Sequence, residues 1–177
     1  MTALLKWSVI SWIAIVLGSP FAAAEDVYQD PAAFVAEAFG GTAPEPKVLW
    51  VTRKLKPQVR GILGHDLGQL RVRYWAHEGR TVWILEEIGK TKLITTGIVI
   101  QEGAIDRLTP LVYRESHGWE VRYPFFTDQF KGLRLTSDAD LSGQVDGVSG
   151  ATLSVSALKR LARLALYFDG QVRPVHE

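Results

Sequence analysis

Apolar and polar positions along the chain change their spacing several times, and each change marks an element. Trp7 to Gly18 is a mostly apolar run that follows Lys6. Pro31 to Phe39 reads as a helix, because Asp30 before Pro31 is the favoured cap and first-position arrangement and Gly40-Gly41 stops the pattern. Pro44 and Pro46 make a short linker, Val48 to Val51 predicts a brief strand, and Lys54 to Leu63 predicts a second helix closed by Gly64. The period then becomes two. Leu70, Val72 and Tyr74 alternate with Arg71, Arg73 and Trp75, as on a half-buried strand. His77-Glu78-Gly79 turns the chain into Arg80 to Glu87, where consecutive Val82, Trp83, Ile84 and Leu85 predict a strand buried on both faces. Thr95 to Gln101 follows, Glu102-Gly103 makes a tight turn, and Ile105 to Arg114 returns. Consecutive strands joined by short turns imply an antiparallel sheet. The expected class is α+β: an antiparallel sheet flanked by helices, with a long C-terminal helix.

That last helix is predicted over Leu153 to Phe168. Val155, Leu158, Ala162 and Ala165 share one face, extended by Leu161 and Phe168, while Lys159, Arg160 and Arg163 crowd a side expected to be solvated. Its start signal is the stretch Asp146-Gly147-Val148-Ser149-Gly150-Ala151-Thr152. Ser149 is expected to cap a first-turn N–H, with Thr152 three residues past the cap. A first turn carries free amides and the positive end of the helix dipole, so it is a natural seat for a phosphate.

Composition narrows the setting. Lys6, the apolar run and Ala22-Ala23-Ala24 form a secretory signal peptide over residues 1–24, leaving residues 25–177 as a single domain beginning at Glu25. The run is shorter than the roughly 20 residues of a membrane span. Retention of the segment would instead anchor the domain at the membrane. The whole chain has 20 Lys and Arg against 19 Asp and Glu, and removing the leader takes away only Lys6, which argues against nucleic acid as a partner. With no cysteine, the chain has no disulfides, iron–sulfur cluster, zinc-thiolate site or thioether-linked haem. Six tryptophans and 47% hydrophobic residues supply a core without cross-links. His65, His77, His117 and His176 show no pairing that suggests a metal site.

The stretch Asp146 to Thr152 resembles the Asp-x-x-Ser/Thr-Gly-Ala-Thr signature of covalent FMN-binding domains. A second region is similar to the same family. Arg114-Glu115-Ser116-His117-Gly118-Trp119, then Phe125-Phe126 and Gln129-Phe130-Lys131-Gly132, resemble a Glu-Thr-Pro-Gly-Leu-Gly loop followed by an aromatic–Gln-Phe-x-Gly segment. Flavin-carrying components of the sodium-pumping NADH:quinone oxidoreductase and of the Rnf complex contain such domains. The resemblance runs from about residue 93 to residue 168.

The resemblance implies that a flavin transferase moves FMN from FAD onto the Thr152 hydroxyl through a phosphoester, with Asp146 read by that transferase. It also implies that Ser149, Gly150 and Ala151 surround the phosphate and that Glu115, Ser116, His117, Gly118 and Trp119 wall the flavin ring. The chain departs from the family loop at Ser116-His117-Gly118-Trp119-Glu120, where only the first glycine is retained. His117 would bring a proton toward the reduced ring and Trp119 an aromatic face. The expected role is electron transfer on the periplasmic side, with a membrane redox protein as donor or acceptor. No Gly-x-Gly-x-x-Gly follows a strand, so NAD(P)H is not an expected direct donor. Two other classes stay open: a flavin-dependent reductase of a small molecule or ferric chelate, and a non-redox exported binding module whose Ser-Gly-Ala-Thr is only a capped turn.

Overall fold

The antiparallel sheet expected from the short-turned strands is present in the computed structural model, which describes residues 26–173. The segment expected to be a signal peptide, residues 1–24, and His176 lie outside the described residues. The strands are β1 Asp26–Val27, β2 Lys47–Trp50, β3 Arg71–His77, β4 Arg80–Ile88, β5 Leu93–Gln101 and β6 Ala104–Tyr113. Their order is β1-β6-β5-β4-β3-β2, and every neighbouring pair is antiparallel. The sequence pattern marks five of the six. The missed one, β1, is two residues long and too short to show a period.

Alternation decides what each face packs against. On β4, Trp83 and Leu85 join the larger core beneath α4 (Thr152–Val172), while Val82 joins a smaller core with Phe34, Val35 and Ala38 of α1 (Pro31–Ala38). Helices on both faces explain the unbroken apolar run on that strand. Asp30 caps α1 as expected, accepting from the Ala33 N–H at 2.8 Å. Helix α2 (Lys56–Leu63) packs alongside α4 and ends at Gly64. Among the described residues no helix is long and apolar enough to cross a membrane.

One expectation for α4 is corrected. Its basic side is only half-exposed, because α2 and residues 140–145 approach it and take up its guanidinium groups in part. Arg160 donates to Glu87 Oε1 at 3.3 Å, and Arg163 donates to the Ile62 carbonyl at 3.0 Å. Ser154, Ala157, Leu164, Leu166 and Asp169 are buried as well, so the helix is enclosed on most sides. Buried Asp169 accepts from the Thr81 hydroxyl at 2.7 Å and from Arg173, which pins the end of the helix to β4.

The smaller core rests on a close approach. A Cβ on Gly97 of β5 would collide with the Phe34 ring of α1. Gly97→Ala is therefore expected to overpack this face and to cost roughly 1–3 kcal/mol. Urea unfolding of the variant at constant m-value measures that loss, and an unchanged midpoint would show that α1 shifts freely.

Candidate functional site

The stretch Asp146 to Thr152 enters α4 by a β-turn, not by a serine cap. The Ala151 N–H donates to the Val148 carbonyl at 3.0 Å, with Ser149 and Gly150 at the bend. Helical geometry starts at Thr152, Ala151 is the capping position, and no side chain caps the first turn. Ser149 therefore does not cap: the turn leaves its side chain two residues too early. Thr152 is the first helical residue rather than the third. It is exposed, and the first-turn amides around it lack a side-chain acceptor.

A loop some thirty residues upstream is brought against this turn. Tyr113, the last residue of β6, is 1% exposed. Its hydroxyl donates to the His117 carbonyl at 2.6 Å and lies 2.9 Å from Ser154 Oγ on the first turn of α4. A phenol has one proton, so with that proton on His117 the serine must be the donor to tyrosine. Burial raises the Tyr113 pKa, which keeps this proton in place at neutral pH. One residue later the chain passes Ala151. Gly118 has φ +82°, and a Cβ there would stand 3.0 Å from both the Ala151 Cβ and the Tyr113 hydroxyl. The retained loop glycine is thus required twice, by its left-handed backbone and by the contact it makes.

Glu115 takes a different part. Its Oε1 accepts from the backbone N–H groups of Lys90, Thr91 and Lys92 at 2.5, 2.6 and 2.8 Å, and the Thr91 hydroxyl donates to Oε2 at 3.1 Å. Burial alone would raise its pKa. The donors of Lys92, Thr91 and Lys90 outweigh that and hold the carboxyl below the ordinary glutamate range. The carboxylate is spent on fixing the β4–β5 connection, and Lys90 and Thr91 become a wall of the site.

The result is an open cleft of about 580 Å³ lined by Lys90, Thr91, Glu115, Ser116, His117 and residues Gly150 to Ser154. Such a volume is in the range of small-molecule sites, roughly 300–1,000 Å³. Glu115, Ser116, His117, Gly150, Ala151 and Thr152 meet there. Ser149 and Gly118 flank the cleft without lining it. Trp119 lies outside it, because the left-handed turn at Gly118 sends the chain into a 3₁₀ turn, Trp119–Arg122. The Trp119 ring is 42% exposed and meets Tyr123 edge-on at 5.7 Å, so it is neither a core residue nor a wall of this cleft.

Asp146 is exposed, and its N–H donates to Gln129 Oε1 at 2.6 Å, while the Gln129 amide donates to the Phe125 carbonyl at 3.2 Å. The Gln-Phe-x-Gly segment thereby holds the chain entering the Thr152 turn, with Phe126 and Phe130 buried beneath it. Among the described residues no group of three His, Asp or Glu could hold a metal ion. Chemically, the site offers an exposed threonine at a helix N-terminus, with a lysine and one imidazole among its lining residues.

Tyr113, Ser154, Lys90 and Thr91 were not singled out from sequence. Ser154 carried a signal, since it interrupts the stripe that continues through Leu158, Leu161 and Ala165. Comparison of the chain with protein-family models, with curated proteins and with solved structures finds no match.

Two outcomes follow from these bonds. Tyr113→Phe leaves buried Ser154 without its acceptor and frees the His117 carbonyl, at an expected cost of about 1–3 kcal/mol. Faster amide exchange in residues 114–119, with the sheet core unchanged, is the accompanying signature. Glu115 has a lowered folded pKa, so its contribution is full above the unfolded glutamate value, near pH 4.3, and is lost as pH falls through the folded one. Glu115→Gln should therefore flatten stability between about pH 5 and pH 3 relative to the parent, measured by thermal melts across that window.

Proposed function

We propose that this chain is an exported flavoprotein that carries FMN through a phosphoester to Thr152 Oγ1 and works in electron transfer on the periplasmic side of the membrane. The observation that carries the reading is a convergence. The two sequence regions that resemble covalent FMN-binding domains, separated by about thirty residues, share one cleft with the Thr152 hydroxyl at its exposed end.

The residues present fit the group. The uncapped first turn of α4 has amides and a positive dipole end available for a phosphate beside Thr152. Gly118 permits the loop to close on Ala151, where any side chain would hold it away. When bound, the flavin supplies reversible electron exchange, and the protein supplies orientation and electrostatics. Glu115 keeps the Lys90–Lys92 backbone in place, so Lys90 stays among the residues that line the cleft. His117 brings the cleft a group that donates a hydrogen bond when protonated. The open mouth admits exchange with a membrane redox protein without a closed substrate chamber. Asp146, exposed at the outer end of the turn, suits recognition by the flavin transferase.

The test is intact mass and in-gel fluorescence after co-expression of the full chain with a flavin transferase. The parent chain should gain the FMN mass, Thr152→Ala should lose it with its circular dichroism unchanged, and Thr152→Ser should retain part. Covalent flavin persisting in Thr152→Ala would overturn the assignment. A parent chain that stays colourless and unmodified would favour the non-redox binding module.

A further inference from the structure

Beside the cleft, three large aromatic side chains stand in solvent on one short segment. Trp119, Tyr123 and Phe125 are 42%, 38% and 62% exposed. They form a continuous row, with Trp119 and Tyr123 centroids 5.7 Å apart and Tyr123 and Phe125 6.3 Å apart. The Arg122 guanidinium sits among them, 5.2 Å over the Trp119 ring, 5.0 Å over Tyr123 and 4.5 Å over Tyr28. Exposed aromatics gathered into one patch mark a contact surface more often than chance does. Trp and Tyr with an arginine between them have the chemistry of the lipid headgroup layer: apolar ring bodies, polar tips and a cation for phosphate.

Where the chain enters the fold identifies the occupant. Tyr28, touched by Arg122 and stacked at 6.4 Å on Tyr113, lies two residues after Asp26, the first described residue. Asp26 pairs with Tyr113 at the end of β6 that feeds the Glu115–Trp119 loop. In sequence, seven residues separate Asp26 from the apolar run Trp7 to Gly18, and where that run is retained as an anchor instead of cleaved it brings this end of the chain to a bilayer. The chain thus enters the fold at the corner that carries the aromatic–arginine patch.

We propose that the Trp119–Tyr123–Phe125 patch rests on a phospholipid bilayer, with Arg122 meeting lipid phosphates, and that this contact holds the Thr152 cleft at the membrane surface. The proposal is independent of what the cleft carries. Trp119 precedes the Tyr123–Phe125 edge and follows Gly118, which packs on Ala151, so the cleft and the patch are held by one rigid turn. A partner borne in the membrane would then meet the cleft at the bilayer surface.

The absence of cysteine makes the test direct. A nitroxide is placed at Phe125→Cys, and separately at Val48→Cys, on the full chain reconstituted with phosphatidylcholine–phosphatidylglycerol vesicles. Val48 is 47% exposed on β2, the edge strand opposite β1. Both sites are exposed, so neither label should disturb folding, which circular dichroism checks. The Phe125 label should sit roughly 5–10 Å below the headgroup level. It should show a several-fold higher ratio of oxygen to nickel-chelate accessibility than the Val48 label, which should remain aqueous. Aqueous values at both sites would overturn the proposal, as would equal protection at both. Dipolar broadening confined to Phe125 would also overturn it, by assigning the patch to a second copy of this chain.

Discussion

The hydroxyl of Tyr113 is where sheet, loop and helix meet, and the site has no geometry without it. Antiparallel pairing with Ile94 and Asp26 fixes the Tyr113 backbone at the end of β6. Burial against Tyr28 and the core fixes its ring. From that fixed point a single proton goes to the His117 carbonyl and a single acceptor meets Ser154. Because the phenol is buried and neutral, losing either partner leaves a polar atom unpaired in an apolar setting, a penalty of about 1–3 kcal/mol. The loop is consequently held to the first turn of α4 through a residue anchored in the sheet, with the Gly118–Ala151 contact beside it.

This arrangement explains which parts of the protein were legible in the sequence. Features set by neighbours along the chain were readable: the Asp30 cap, the alternation at Val72 and Tyr74, the doubly buried Val82–Leu85, and the turns at Glu78-Gly79 and Glu102-Gly103. Features set by distant partners were not. Arg160 and Arg163 looked like a solvated face because Glu87 and the Ile62 carbonyl, which cover them, lie 73 and 101 residues away. The Ser149 cap failed for a subtler reason. Ser-Gly before an apolar run suits both a cap and a β-turn, and the hydrogen bond from Ala151 to Val148 decides for the turn, which delays the helix to Thr152.

The side chains of the loop take parts that residue type alone does not reveal. Glu115 reads as a residue facing a cofactor, yet four of its hydrogen bonds go to residues 90–92. It shapes the cleft through the opposite wall. Trp119 reads as that wall, and the left-handed Gly118 directs it outward instead. The glycine is the residue on which the loop's course depends. Its neighbours Ser116 and His117 leave that course to backbone atoms, since the loop is held through the His117 carbonyl and the Gly118 Cα.

The electrostatics of the seat bear on why a covalent bond would be needed there. The dipole of a 21-residue helix acts on an anion mainly through its first turn, contributing about 0.3–1 kcal/mol at an exposed site. Lys90 adds a solvent-screened charge of similar worth. Together these amount to about 0.6–2 kcal/mol, roughly threefold to thirtyfold in affinity, since each 1.4 kcal/mol is tenfold. With Trp119 turned away, the cleft also has no large aromatic wall to enclose a ring. A flavin mononucleotide resting here by contacts alone would exchange with solvent readily, and an exported protein has no reservoir of the cofactor to draw on. The same openness that makes retention weak leaves a ring edge accessible to a partner. In the proposed flavoprotein a phosphoester at Thr152 would reconcile the two: it would fix the phosphate end irrespective of affinity and leave the cleft open for electron exchange.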